Sequence, residues 1–185
     1  MHVYSAGDIT LKFLHRKRGK EAIVAIDIIP RYGGVIIHHC RASYLSYLHC
    51  GHRLCGLLRE LTFIVESNGY AWARNMKRLL QETCVKASKS EEKKLTDKDP
   101  ANLQKRYRAI LTRGAKELPV IPPKPSGKRG KLAKSAAHNL LERMQTHEAS
   151  VLLFAKDPHV SFTNNRAERD LRMAKVLMPS MIKRH

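Results

Sequence analysis

The sequence predicts an α/β chain that is helix-rich overall: a small sheet region, a long helical insertion behind it, and a short closing helix. Three observations carry this expectation. His2–Ser5 and Ile9–Leu14 flank the turn-forming Ala6-Gly7-Asp8, as the two strands of a hairpin do. Val35-Ile36-Ile37-His38-His39 is a short β-branched run of the kind that forms a buried parallel strand. From Leu57 onward the apolar residues recur instead at helical spacing. A chain of 185 residues suits one domain, or one domain with an insertion, and can bury a real core. The expected boundaries are a sheet region over 1–56, a helical insertion over 57–160 containing a basic Pro/Gly linker at 114–131, and a helix with an irregular tail over 161–185.

Taken in order, the opening hairpin leads to a basic turn, Arg16-Lys17-Arg18-Gly19-Lys20, and then to a helix from about Glu21 to Ile29. Pro30 ends that helix and Tyr32-Gly33-Gly34 makes the next turn. After the β-branched run, Cys50, His52 and Cys55 invite a zinc reading, but no second Cys/His pair follows at knuckle spacing. Small buried thiols at the start of a helix fit better. Leu57, Leu58, Leu61, Ile64 and Val65 form one apolar stripe, and Trp72, Met76, Leu79 and Leu80 continue a similar one. Lys86 to Lys94 is charged and reads as a solvated turn or helix end; Leu103, Tyr107, Ile110 and Leu111 mark the next helix. Trp72 and Tyr107 read as core anchors and not as base-stacking residues. Pro119 to Lys131 is stiff, then flexible and basic; tracking DNA phosphates and simple solvation are equally open for it. Gly127-Lys128 lacks the preceding strand that a phosphate-binding loop needs. Helices follow from about Ala133 to His147 and from Ala149 to Ala155, and no internal repeat is visible.

Charge narrows the function classes. Thirty-five Lys and Arg against sixteen Asp and Glu give a formal +19, extreme for an enzyme of small molecules and suited to a polyanion partner. Nucleic acid is favoured over a membrane, because no apolar run approaches a membrane span. Met1 to Thr10 is mixed and polar, without the long apolar core of a signal peptide. Four cysteines in such a chain read as reduced thiols in the cytoplasm and not as a disulfide framework.

The most informative stretch is Thr163-Asn164-Asn165-Arg166-Ala167-Glu168-Arg169-Asp170-Leu171-Arg172-Met173. Asn164 is a good N-cap. Ala167, Leu171 and Ala174 fall on one apolar face; Asn165, Glu168, Arg172 and Lys175 cluster on one flank and Asp170 points to the other. By itself this fits a surface helix with i,i+4 charge pairing. Yet Asn164-Asn165-x-Ala167-Glu168-Arg169-x-Leu171-Arg172 resembles the third-acid motif of transposases of the insertion sequence 66 family, members of the DDE group. The resemblance implies a ribonuclease-H-like fold in which two Asp and one Glu hold two divalent metal ions, Mg or Mn, for DNA strand cleavage and joining. Strand, strand, helix, strand is the order of the middle of that fold. The resemblance makes Glu168 the third metal ligand and catalytic acid, puts Asn165, Arg169, Arg172 and Lys175 on or beside DNA phosphates, and leaves Lys128 and Arg129 of the linker as further DNA-binding candidates.

The chain departs from the family pattern at defined places. Where the family reads Gly-x-x-x-His-Asp-x-x-x-Ser-Tyr, this chain has Gly34-Val35-Ile36-Ile37-His38-His39-Cys40-Arg41-Ala42-Ser43-Tyr44, so the second-acid position is His39. Imidazole binds Zn²⁺ or Mn²⁺ but is a poor ligand for Mg²⁺, which takes hard oxygen donors. A metal site at His38, His39 and Cys40 is disfavoured, because adjacent strand residues point to opposite faces. The family's Cys-x-x-His ahead of Leu-Leu-Arg-Glu-Leu is here Cys55-Gly56-Leu57, two residues short and without the His. The family's first acid belongs to a strand just before the opening hairpin, and Asp8 in the turn does not take its role. The tail Leu177–His185 also leaves the family pattern. The expectation is an incomplete ribonuclease-H-like sheet in a truncated, degenerate fragment that retains Glu168, binds DNA and holds no productive metal pair. The alternative is a non-catalytic remnant that binds DNA or captures a subunit of an intact transposase. An unrelated basic RNA-binding protein is disfavoured by the Asn164–Arg172 motif.

Overall fold

A computed structural model describes residues 1–96, 99–122, 134–163, 165, 169, 170 and 172. The described chain is helix-rich, with four short strands and seven α-helices. It divides into two compact units, Met1–Cys55 with Ser161–His185, and Gly56–Val160.

The first unit opens with strands β1 (His2–Ala6) and β2 (Ile9–Phe13), paired antiparallel with His2 opposite Phe13 and Ala6 opposite Ile9. The two-residue turn is Gly7-Asp8, and Gly7 supplies the left-handed φ of +50° that the turn requires. Helix α1 (Lys20–Ile26) stops three residues before the predicted end. Asp27 takes a left-handed conformation, φ +58°, and its N–H returns to the Ile23 carbonyl, closing the helix before Pro30 is reached. Pro30 instead sits inside a 3₁₀ turn, Ile29–Arg31. Strand β3 (Val35–His38) forms as expected and is followed by the short α2 (Ala42–Leu45).

Strand β4 (Gly51–Leu54) was not foreseen. It runs parallel to β3, with Val35 opposite Gly51 and His38 opposite Leu54, where the sequence reads as a helix start. Cys50 and Cys55, at its two ends, are buried as expected of small thiols. The two strand pairs form two separate two-stranded sheets among the described residues. Ile23, Ile29, Ile36 and Cys50 make the core between helix and strands, with Tyr4, Tyr44 and Tyr47 packed against it.

The second unit is helical. Helices α3 (Leu57–Asn68) and α4 (Ala71–Lys89) are separated by Gly69, whose φ of +69° caps α3 through the Val65 carbonyl. Helix α5 (Asp99–Glu117) runs into the segment read as linker. Helices α6 (Ala136–Thr146) and α7 (Glu148–Leu152) complete the unit. Ser135 caps α6 by accepting from the His138 N–H. Trp72 and Tyr107 are the largest fully buried side chains, and the Tyr107 hydroxyl donates to the Met144 carbonyl at 2.9 Å. They are core anchors. Gly114 lets α5 approach the indole closely: a Cβ there would lie 2.8 Å from Trp72 Cγ and 2.7 Å from Leu141 Cδ1. No helix among the described residues is long and apolar enough to cross a membrane.

Candidate functional site

The first unit brings together the C-terminal end of β3, strand β4 and the stretch after Ser161. His38 and His39 do point to opposite sides, one buried and the other exposed. His38 Nε2 lies 3.2 Å from His52 Nδ1, and His52 Nε2 lies 3.1 Å from the Tyr47 carbonyl. Since a carbonyl only accepts, His52 carries its proton on Nε2, so in the neutral pair His38 Nε2–H donates to His52 Nδ1. The His38 ring also packs on Tyr44 at 5.3 Å between centroids. Burial raises the Tyr4 and Tyr44 hydroxyls above the usual tyrosine range, so both stay protonated.

His39, which the sequence comparison sets at the expected second-acid position, has its ring Nδ1 3.6 Å from the Cys55 Sγ. Cys50 turns elsewhere: its thiol donates to the Tyr32 carbonyl at 2.8 Å, and burial pushes its pKa up. Cys50, His52 and Cys55 thus each face a different partner. Among the described residues no group of three or more His, Cys, Asp or Glu is placed to hold a metal ion. An imidazole beside a thiol is a donor set for a soft or borderline metal. It does not fit a pair of Mg²⁺ ions, which needs carboxylate oxygens.

The motif-bearing stretch is tied to this unit at two points. Arg53 of β4 is buried, its Nη2 donates to the Phe162 carbonyl at 3.4 Å, and its guanidinium sits 5.6 Å from the centre of the Phe162 ring. Eight residues on, the Asp170 Oδ2 accepts from the Thr10 hydroxyl at 2.8 Å and from Ser5 at 3.3 Å. Ser5 and Thr10 are directly opposite across the β1–β2 ladder and are themselves 3.1 Å apart. Phe162 is therefore anchored on β4 and Asp170 on the hairpin, so the stretch spans both strand pairs. Asn165, Arg169, Asp170 and Arg172 are helical; Asn165, Arg169 and Arg172 are exposed, Asp170 half-buried. Glu168, Lys175, Lys128 and Arg129 lie outside the described residues.

Sequence reasoning missed the anchoring roles of Arg53, Phe162 and Asp170. The one available signal was that Asp170 falls off the flank shared by Glu168 and Arg172.

Residues 1–178 match the family model described as Transposase IS66 family. The chain belongs to that family, so its function is transposase-related and the family's substrate is DNA. Neither the curated proteins nor the solved structures yield a match.

Proposed function

We propose that the chain is a portion of a DDE transposase catalytic domain that binds duplex DNA and neither nicks nor joins it. In this reading β1–β2 and β3–β4 are two parts of a ribonuclease-H-like sheet, and the stretch from Phe162 to Arg172 is its third-acid element. The observation that carries the loss of chemistry is His39. The end of β3 presents an exposed imidazole beside a thiol where the DDE mechanism takes a carboxylate. In the intact family two divalent ions activate the attacking oxygen and stabilise the leaving one in an in-line phosphoryl transfer. Glu168 alone supplies too little negative charge to assemble such a pair. The chain's part is then to hold DNA through exposed cations, Arg169 and Arg172 included, in the cytoplasm where the mobile element resides.

The charge excess supports binding that is dominated by phosphates and nearly indifferent to sequence. Fluorescence anisotropy with two unrelated labelled duplexes tests this. Affinity should fall steeply between about 50 and 200 mM salt and be similar for both duplexes. Salt-independent binding, or strong preference for one duplex, contradicts it. A second reading, capture of an intact transposase subunit, is favoured by the two separate strand pairs, whose open edges invite strand addition. Co-elution of the chain with a full-length family member in the absence of DNA would favour that reading.

A further inference from the structure

Helices α4 and α5 form an antiparallel pair whose acids and bases are sorted. Between them they carry ten cations and only Glu82, Asp99 and Glu117 as acids. All three acids are used to hold the pair together. Glu82 binds Arg106 across the helices at 3.0 Å and Asp99 binds Lys86 at 2.7 Å. The Glu117 carboxylate accepts from the Ala71 and Trp72 N–H groups, at 2.6 and 2.9 Å, at the N-terminus of α4. Among the described residues Arg74, Lys77, Lys89, Lys105, Arg113 and Lys116 form no ion pair.

Helical phase then sorts the cations into a strip. Arg78, Glu82, Val85 and Lys89 follow one another at steps of four, three and four, as do Asn102, Arg106, Ala109 and Arg113. The Glu82–Arg106 bridge joins these two rows along the exposed side of the pair. Lys116 extends the second row by three residues. From the level of Lys89 to that of Arg113, opposite the start of α4, is about fifteen residues of helix. That is roughly 22 Å, near two-thirds of a duplex turn.

We infer that this strip on α4 and α5 is a second DNA-backbone contact surface, distinct from the third-acid stretch and the Gly-Lys-Arg linker. The inference rests on the DNA-binding reading and extends it to the helical unit. The occupant is duplex phosphate, for two reasons. The aromatic residues of these helices, Trp72 and Tyr107, are buried in the core, so the strip has no platform on which to stack unpaired bases. Val85 is the only large apolar residue of the two rows that is exposed, too little for the apolar centre of a protein interface.

The test uses the full chain and a labelled duplex of arbitrary sequence, with affinity measured from 50 to 200 mM salt. Lys89→Gln, Arg113→Gln and Lys116→Gln are combined in one variant, because none of the three side chains is ion-paired or buried. Lys12→Gln, Lys20→Gln and Lys156→Gln, combined, remove the same charge elsewhere. Each lost phosphate contact lowers the slope of log K against log salt by about 0.9. The strip variant should therefore lose about 2.7 from that slope and the control less than a third as much. Lys89→Arg with Arg113→Lys and Lys116→Arg should keep the wild-type slope. Equal slopes for strip variant and wild type, with wild type bound, overturn the strip while leaving the DNA-binding reading standing. Absence of duplex binding by wild type overturns both. A strip variant that loses binding to single strands but not to duplex also overturns it.

Discussion

Replacing Gly114 by alanine sets two effects of opposite sign against each other inside one helix. Glycine is the poorer helix former, so alanine should favour α5 by about 1 kcal/mol. Against this, the new Cβ would lie 2.7 Å from Leu141 Cδ1, 2.8 Å from Trp72 Cγ and 3.0 Å from Trp72 Cβ. The Leu141 methyl ends a flexible side chain and can rotate away. The Trp72 atoms are the root of an indole that is 1% exposed, and they move only if α4 and α5 separate. Overpacking of that kind costs about 1–3 kcal/mol, so the helix gain is offset and Gly114→Ala should destabilise by up to roughly 2 kcal/mol. Trp72 is the chain's only tryptophan, so urea unfolding followed by its fluorescence reports on this contact. Gly33→Ala, where a Cβ meets nothing within 4 Å, should stay within about 0.5 kcal/mol of wild type. A Gly114→Ala midpoint above wild type, the helix gain with no packing cost, would refute the close approach of α5 to Trp72.

Further outcomes follow from the same contacts. Tyr107→Phe removes the buried donor to the Met144 carbonyl and should lower stability by about 1–2 kcal/mol, read from the same urea transition. Asp170→Asn, or Thr10→Val, should loosen the motif stretch from the hairpin, seen as faster amide hydrogen exchange near Arg169 with Tyr107 unaffected. The Glu148 carboxyl is held below its ordinary 4.5 chiefly by the Arg108 guanidinium. Its contribution to stability is therefore present above pH 4.5 and lost as pH falls through the lower folded-state value; Glu148→Gln should make the acid-side decline smaller, the Asp99 pair with Lys86 keeping the rest, and a decline as large as that of wild type contradicts it. Because β3 pairs with a single neighbour among the described strands, Val35–His38 should exchange amide hydrogens faster than the core of α4 and α5. Slowest exchange in β3 contradicts this.

The sequence carried the hairpin because alternation and a Gly-Asp turn are local signals. It carried the helices of the second unit because Leu61, Ile64, Met76, Leu79, Tyr107 and Leu111 repeat at helical spacing and are buried. Strand β4 was illegible: Gly51-His52-Arg53-Leu54 has no β-branched residue, and its conformation comes from pairing with β3. The end of α1 was misread because Asp27, not Pro30, closes it. At the site, the motif around Glu168 and the oddity at His39 were readable from residue order alone. The Asp170 anchor was not, since its partners lie 160 and 165 residues away. Nor was the strip on α4 and α5. A sequence counts cations, but which ones are neutralised depends on pairs such as Glu82 with Arg106 that form only after the helices pack.

The central claim is that this chain holds DNA without cutting it. The most direct measurement is incubation of the purified chain with supercoiled plasmid in Mg²⁺ and separately in Mn²⁺, with conversion to nicked circles and joined products read on a gel. The account predicts retarded but uncut plasmid for both wild type and Glu168→Ala. Metal-dependent nicking by wild type that disappears in Glu168→Ala would contradict it, and would mean that His39 or another group completes the metal site.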